Sequence, residues 1–133
     1  MITSSNDGTI HIQSLKNTVP SRRISPKEYE ISCFCSIDPL SDNELIIGLG
    51  KGDLIYYKEQ SNTLVSLISS QKVIKKNLYK DTQQEGSIIS CLYYRKVLAW
   101  STSKHIRLRY YPNFTDDKQM KNICSIEYPA NVP

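Results

Sequence analysis

A tight polar corner between two short alternating segments occurs three times along these 133 residues, and that recurrence limits the fold more than any single motif. In "ITSSNDGTIHI", residues 2 to 12, Asp7-Gly8 marks the corner. After it Ile10 and Ile12 alternate with Thr9 and His11, so a strand there turns its isoleucines to one side, toward a core. In "ELIIGLGKGDLIYY" the corner is Gly50-Lys51-Gly52-Asp53, which offers glycines for the positive φ of a tight hairpin; Leu45 to Leu49, with Ile47 at the centre, precede it and Leu54 to Tyr57 follow. In "KVLAWSTSKHIRLRYYP" the corner is Ser103-Lys104. Gly8, Gly52 and Lys104 stand 44 and 52 residues apart.

Each corner sits inside a longer unit. Before the second one, "EISCFCSIDP" places Ile31, Cys33, Cys35 and Ile37 on one face and breaks at Asp38-Pro39; after it "TLVSLIS" at 63 to 69 supplies another strand. The third unit repeats the order with strands at 86 to 94, 96 to 103, 105 to 112 and 122 to 129, and Trp100 lies in its apolar second strand. The polar, proline-bearing stretch between the first and second units is expected to be a connection. Four short strands per unit at a period of about 40 to 50 residues describe the blades of a β-propeller, and the apolar second strands suit blades packed on both faces. An immunoglobulin-like sandwich gives no reason for such a period. The nine tyrosines support pleated, half-buried surfaces, and no long helical pattern competes.

The expected architecture is therefore all-β: a partial β-propeller of about two and a half blades of four antiparallel strands. The end of one blade occupies residues 1–15, full blades occupy 29–70 and 86–129, and a basic connection occupies 71–85. Propellers close with about four to eight blades, so the first hairpin is expected to be the surviving end of a blade that began upstream.

"SSNDGTIHI" resembles the segment that WD-repeat blades carry between their second and third strands. The Trp-Asp dipeptide that ends the third strand of such blades is replaced by Gln13-Ser14, Tyr57-Lys58 and Tyr110-Tyr111, and no Gly-His pair opens a unit. A closer likeness is to the amino-terminal propeller of the vacuolar protein sorting-associated protein 41 family, which belongs to the HOPS tethering complex. It is carried by "SSNDGTIHI", by "LIIGLGKGDLIYY", and by "EGSIISCLYYRKVLAWSTSKHIRLRY" with its closing "ICSIEYPANVP". Gly86, Ile88, Ala99, Trp100, Asn131, Val132 and Pro133 occupy positions of that family's pattern. The resemblance implies a scaffold that works with other tethering-complex subunits and a Rab-type GTPase in membrane tethering, late endosome fusion, autophagy and transport to the vacuole or lysosome. A generic WD-type adaptor, in ubiquitin ligation or RNA processing, is the alternative.

Little in the sequence points to chemistry, and no cofactor is expected. His11 and His105 each follow a corner, which places them at equivalent points of two blades, where exposed or edge-facing side chains are expected before a catalytic pair. Gly48-x-Gly50-x-Gly52 lacks the third glycine spacing and the helix of a dinucleotide site; a strand follows it instead. Zinc would require Cys33, Cys35, Cys91 and Cys124 to converge in a tetrahedron, whereas one intervening residue between Cys33 and Cys35 suits core packing as well. Asn113-Phe114-Thr115 is expected to be a loop.

The net charge of +4 is mild and spread along the chain. Only "QKVIKKNLYKDTQQE" concentrates it, with Lys72, Lys75, Lys76 and Lys80 beside Ile74, Leu78 and Tyr79. Such a cluster either is a solvated linker or meets anionic lipid, each lysine then contributing about 1 kcal/mol near the surface. Nucleic acid is disfavoured because the aromatic interleaving of a stacking platform is absent from this stretch, and no small-molecule substrate is expected. No apolar run approaches the roughly 20 residues of a membrane-spanning helix. The expected location is cytoplasmic, peripheral on a late endosome or vacuole membrane.

Overall fold

A computed structural model describes residues 2–5, 9–12, 22–24, 30–38, 41–60 and 72–129. The chain is all-β. Its strands are β1 (Ile2–Ser4), β2 (Ile10–Ile12), β3 (Arg22–Ile24), β4 (Ile31–Asp38), β5 (Ser41–Leu49), β6 (Leu54–Gln60), β7 (Lys72–Tyr79), β8 (Ser90–Tyr94), β9 (Val97–Ser101), β10 (His105–Tyr110) and β11 (Lys121–Glu127). A 3-10 turn, Asp117–Gln119, precedes β11. The strands form a three-stranded sheet β1-β2-β3, a middle sheet β4-β5-β6-β7 and a third sheet β8-β9-β10-β11, antiparallel throughout.

The middle sheet is apolar on both faces and is covered on both. Leu45, Ile47, Leu49, Ile55 and Tyr57 pack with Ile10 of the first sheet, and Ile2, Ile31 and Phe34 lie against them. On the opposite face Ile46, Leu54, Tyr56 and Leu78 meet Leu98, Trp100, Tyr111, Phe114 and Ile88 of the third sheet and its loops. The run "ELIIGLG" is apolar without alternation because each of its faces fills a different core. Gly48 is required in that run: a Cβ there would lie 2.8 Å from Cγ2 of Ile88, so only glycine allows the third sheet to approach this closely.

Several expectations change. The segment 71–85 is not a connection over its first half, since Lys72–Tyr79 forms the outer strand β7, paired with β6 from Leu54↔Tyr79 to Gln60↔Lys72. The strand needs only Ile74 and Leu78 as apolar residues toward the third sheet, where Lys76 between them meets Asp117, and its other lysines suit an exposed edge that must not recruit further strands. The strand expected at 63 to 69 lies outside the described residues, as do Asp7 and Gly8. Within the stretch expected to connect the first two units, Arg22–Ile24 pairs with β2. Ile31 does not share a face with Cys33, Cys35 and Ile37. A bulge between Ile31 and Cys33 sends Ile31 to the first sheet and the other three toward the third.

Of the expected core residues, Ile10, Ile47 and Trp100 are buried, while Cys33 and Cys35 are half-buried. Ile12 pairs with Ile2 through the backbone, and its side chain lies outside the described residues. Gly52 has the positive φ expected of the corner, at 97°, but Gly50 does not share it. Between β8 and β9 the turn Arg95-Lys96 takes positive φ at both residues, 48° and 67°, the geometry whose twist matches a two-residue hairpin.

Candidate functional site

The third sheet is joined to the middle sheet by the loop 80–89, and this loop carries a buried carboxylate. Glu85 is 2% exposed, deep enough that an unpaired charge there would be untenable. Its partners come from the corner between β9 and β10. Arg107 donates to Oε1, Thr102 Oγ1 donates to Oε2 at 3.2 Å, and His105 Nδ1 lies 3.2 Å from Oε1. Thr102 Oγ1 also accepts from the backbone N–H groups of Lys104 at 3.2 Å and His105 at 3.1 Å, which fixes the corner. Ser103 Oγ and Lys104 Nζ close the assembly by donating to the carbonyls of Glu85 and Gln84. Burial opposes the Arg107 charge, yet Glu85 and Tyr79 together outweigh it and hold the guanidinium above its ordinary range.

The same loop grips the corner of the middle sheet. Asp53, a buried corner residue, accepts from the Asp81 N–H at 2.9 Å and pairs with Lys51 at 3.0 Å. Asp81 in turn caps the loop, accepting from the N–H groups of Gln83, Glu85 and Gly86. Ser87 Oγ donates to the Gly50 carbonyl at 2.7 Å, and the Ile88 N–H to that of Leu49 at 3.2 Å. Asp53, Gly50, Gly52 and Lys104 therefore belong to one polar seam that sets how the third sheet stacks on the middle one. Glu85, Thr102 and Arg107, absent from the sequence reading, form its centre.

Below the seam the two sheets enclose a groove of about 230 Å³ lined by Tyr79, Trp100, Arg107, Arg109, Asn122 and Ser125, among others. The rings of Tyr79 and Trp100 lie 5.1 Å apart. Arg107 stands 5.4 Å over Tyr79 and Arg109 5.3 Å over Trp100, both within cation–π range. Arg107 donates to Ser125 Oγ at 3.2 Å; Arg109 donates to Asn122 Oδ1 at 2.8 Å and to the Leu78 carbonyl at 2.6 Å. Burial draws Arg109 below its ordinary value, only partly offset by Tyr111 and Asp117. Trp100 Nε1 and Arg107 Nε are buried without a hydrogen-bond partner.

The remaining candidates separate. His11 is exposed in the first sheet, with Nε2 3.4 Å from Thr9 Oγ1, and the middle sheet stands between it and His105. Cys33 and Cys91 Sγ lie 3.7 Å apart between the sheets, and Cys91 also hydrogen-bonds the Ile46 carbonyl at 3.9 Å. Hydrogen bonds to Cys33 and Cys35, then burial, push the Cys91 thiol above its ordinary range, while the hydrogen bond to Cys91 draws Cys33 and Cys35 down. Cys124 is exposed on β11, away from the three, so four thiols do not converge. Among the described residues no group of three or more His, Cys, Asp or Glu side chains is placed to hold a metal.

The four lysines do not form one patch either. Lys76 faces the third sheet beside Tyr56, where it pairs with Asp117 at 2.6 Å, while Lys75 falls on the opposite face beside Tyr57. Hydrogen bonds from Lys76 and then Tyr111 hold the Asp117 carboxyl below the usual carboxylate range. Lys75 and Lys80 are exposed, and the Lys72 side chain lies outside the described residues. Asn113 Oδ1 accepts from the Thr115 N–H and hydroxyl, making the expected loop a tight turn that presents Phe114 to the core.

The outward face of the third sheet is apolar and open. Leu92 is 61% exposed, Tyr94 64% and Ile126 54%. Its rows Ser90↔Ser101↔Ile106 and Leu92↔Ala99↔Leu108 match, position by position from the corner, the rows Cys33↔Gly48↔Leu54 and Cys35↔Ile46↔Tyr56 that the middle sheet turns toward the third. Among the described residues no helix is long and apolar enough to cross a membrane. Compared with models of protein families, with curated proteins and with solved structures, the chain finds no match.

Proposed function

We propose that this chain is a non-enzymatic interaction module, a partial β-propeller of WD-repeat type whose blades serve as a binding scaffold. One observation carries the reading: the open face of the third sheet has the register and apolar character of the face by which the middle sheet receives its neighbour. Its occupant on this reading is a further four-stranded sheet, stacked as the third stacks on the middle one. Repeated units of this kind bury a continuous core only when neighbours cover both faces. The polar seam at Asp53, Asp81 and Glu85 supports the same view, because it fixes the stacking where the usual Trp-Asp and Gly-His pairs are replaced.

The resemblance, which runs over nearly the whole chain and is most specific in the third unit, supports a place in a HOPS-type membrane-tethering complex, with other tethering subunits and a Rab-type GTPase as partners at the late endosome or vacuole. An anionic membrane contact within that reading falls to Lys75 and Lys80. The test is affinity capture of the tagged full chain with identification of what co-purifies. Recovery of tethering subunits supports the proposal; recovery of ubiquitin-ligase or RNA-processing components instead overturns its tethering part. Activity lost on substituting His11 and His105 together would overturn the non-enzymatic part.

A further inference from the structure

We propose that the groove between Tyr79 and β11 binds the carboxylate of an acidic peptide laid along β11, with Arg109 and the Trp100 indole N–H as its anchors. The charge balance motivates this. Lys76 is matched by Asp117 and Arg107 by Glu85, whereas the hydrogen bonds of Arg109 go only to the neutral oxygens of Asn122 and Leu78. A partly buried guanidinium whose hydrogen bonds reach no carboxylate, and whose burial Asp117 offsets only in part, favours an anion that replaces its lost water. Two residues that line the groove carry buried donors with no partner, Trp100 Nε1 and Arg107 Nε, a cost that an acceptor reaching them from the groove removes. A carboxylate supplies acceptors only and a single negative charge, which suits a single guanidinium already partly balanced by Asp117; a phosphate brings about two.

The fold points to a peptide as the source. β11 is an edge strand, exposed at every residue, and among the described residues it pairs only with β10. A strand added along this edge would direct alternate side chains toward the groove. This site faces the middle sheet, so it is separate from the open outward face, and its test does not depend on the blade reading.

Trp100 is the sole tryptophan, so its emission reports occupancy directly. The probe is a synthetic peptide of alternating glutamate and valine, titrated into the full chain beside a matched glutamine–valine peptide and inorganic phosphate. Saturable change with the glutamate peptide alone is expected, and Arg109→Gln is expected to weaken it at least about tenfold, as loss of a charge-assisted hydrogen bond does. Where R109Q does not fold, Ser125→Glu places a competing carboxylate on the groove and is expected to weaken binding as much. The proposal is overturned by equal binding of the glutamine peptide, by no binding of either peptide, by displacement with inorganic phosphate at equal concentration, or by unchanged affinity in R109Q or S125E.

Discussion

Replacing Glu85 by alanine tests the polar seam most sharply, because that carboxylate accepts hydrogen bonds from both Arg107 and Thr102. The Glu85 side chain is 1% exposed and that of Arg107 19%, so the change strands a nearly buried guanidinium and leaves Thr102 without its acceptor. Removing one partner of a buried ion pair costs about 3–5 kcal/mol; some water reaches Arg107, which places the expected loss nearer about 2–4 kcal/mol. At this chain length that corresponds to a fall of roughly 10 °C in Tm. Glu85→Gln keeps the acceptor oxygen and loses the charge, so about half the effect is expected. Lys76→Ala is the internal comparison: its partner Asp117 is 56% exposed, and such pairs contribute less than about 1 kcal/mol. Urea unfolding followed by circular dichroism reads all three variants. An E85A protein within about 1 kcal/mol of wild type, or no more destabilised than K76A, would refute the claim that the seam holds the sheets in register.

Other sites give further tests. Phe114 lies 4.8–5.0 Å from the rings of Tyr56, Tyr93 and Tyr111 and plugs one end of the inter-sheet core, so Phe114→Ala is expected to cost about 3–4 kcal/mol in urea unfolding. Gly52→Ala should cost more than Gly86→Ala, measured the same way: both have positive φ, but a Cβ at Gly52 meets Asp81 and Gly86 at 2.6 Å while one at Gly86 meets nothing within 4 Å. Burial, then Glu44, pushes the Tyr56 phenol up to about 12. The fold thus favours the neutral phenol, and that stability is complete below the unfolded value of about 10 and is lost as pH rises through about 12. Phenolate absorbance and circular dichroism should therefore change together in that window, and a phenolate signal complete before unfolding begins would contradict it.

What the sequence disclosed depended on whether a local pattern carried the information. The hairpins around Gly52 and Lys104 were legible because apolar alternation meets a polar corner, and Trp100 and Ile47 stood out as core for the same reason. β7 was hidden because Lys72, Lys75 and Lys76 occupy a strand that needs only two apolar residues toward the core, and an edge strand looks like a basic linker when read in isolation. The bulge at Ile31 leaves no mark in an alternating run, so Ile31 appeared to share the face of Cys33. Glu85 sits in the polar stretch "DTQQEG", where nothing local separates a buried carboxylate from a solvated one; its meaning comes from Thr102 and Arg107, 17 and 22 residues away. Phe114, in a turn between strands, is core only because the third sheet packs on the middle one.

The central claim is that the open face of the third sheet is built to receive another sheet. Sedimentation velocity across a concentration series, comparing the wild-type chain with the double variant Leu92→Lys and Ile126→Lys, tests it directly. The account predicts that the unpartnered wild type self-associates with rising concentration, and that the double variant stays monomeric with an unchanged β-sheet circular dichroism spectrum. A wild-type chain that remains monomeric throughout, or a double variant that loses its β-sheet signal, would contradict it.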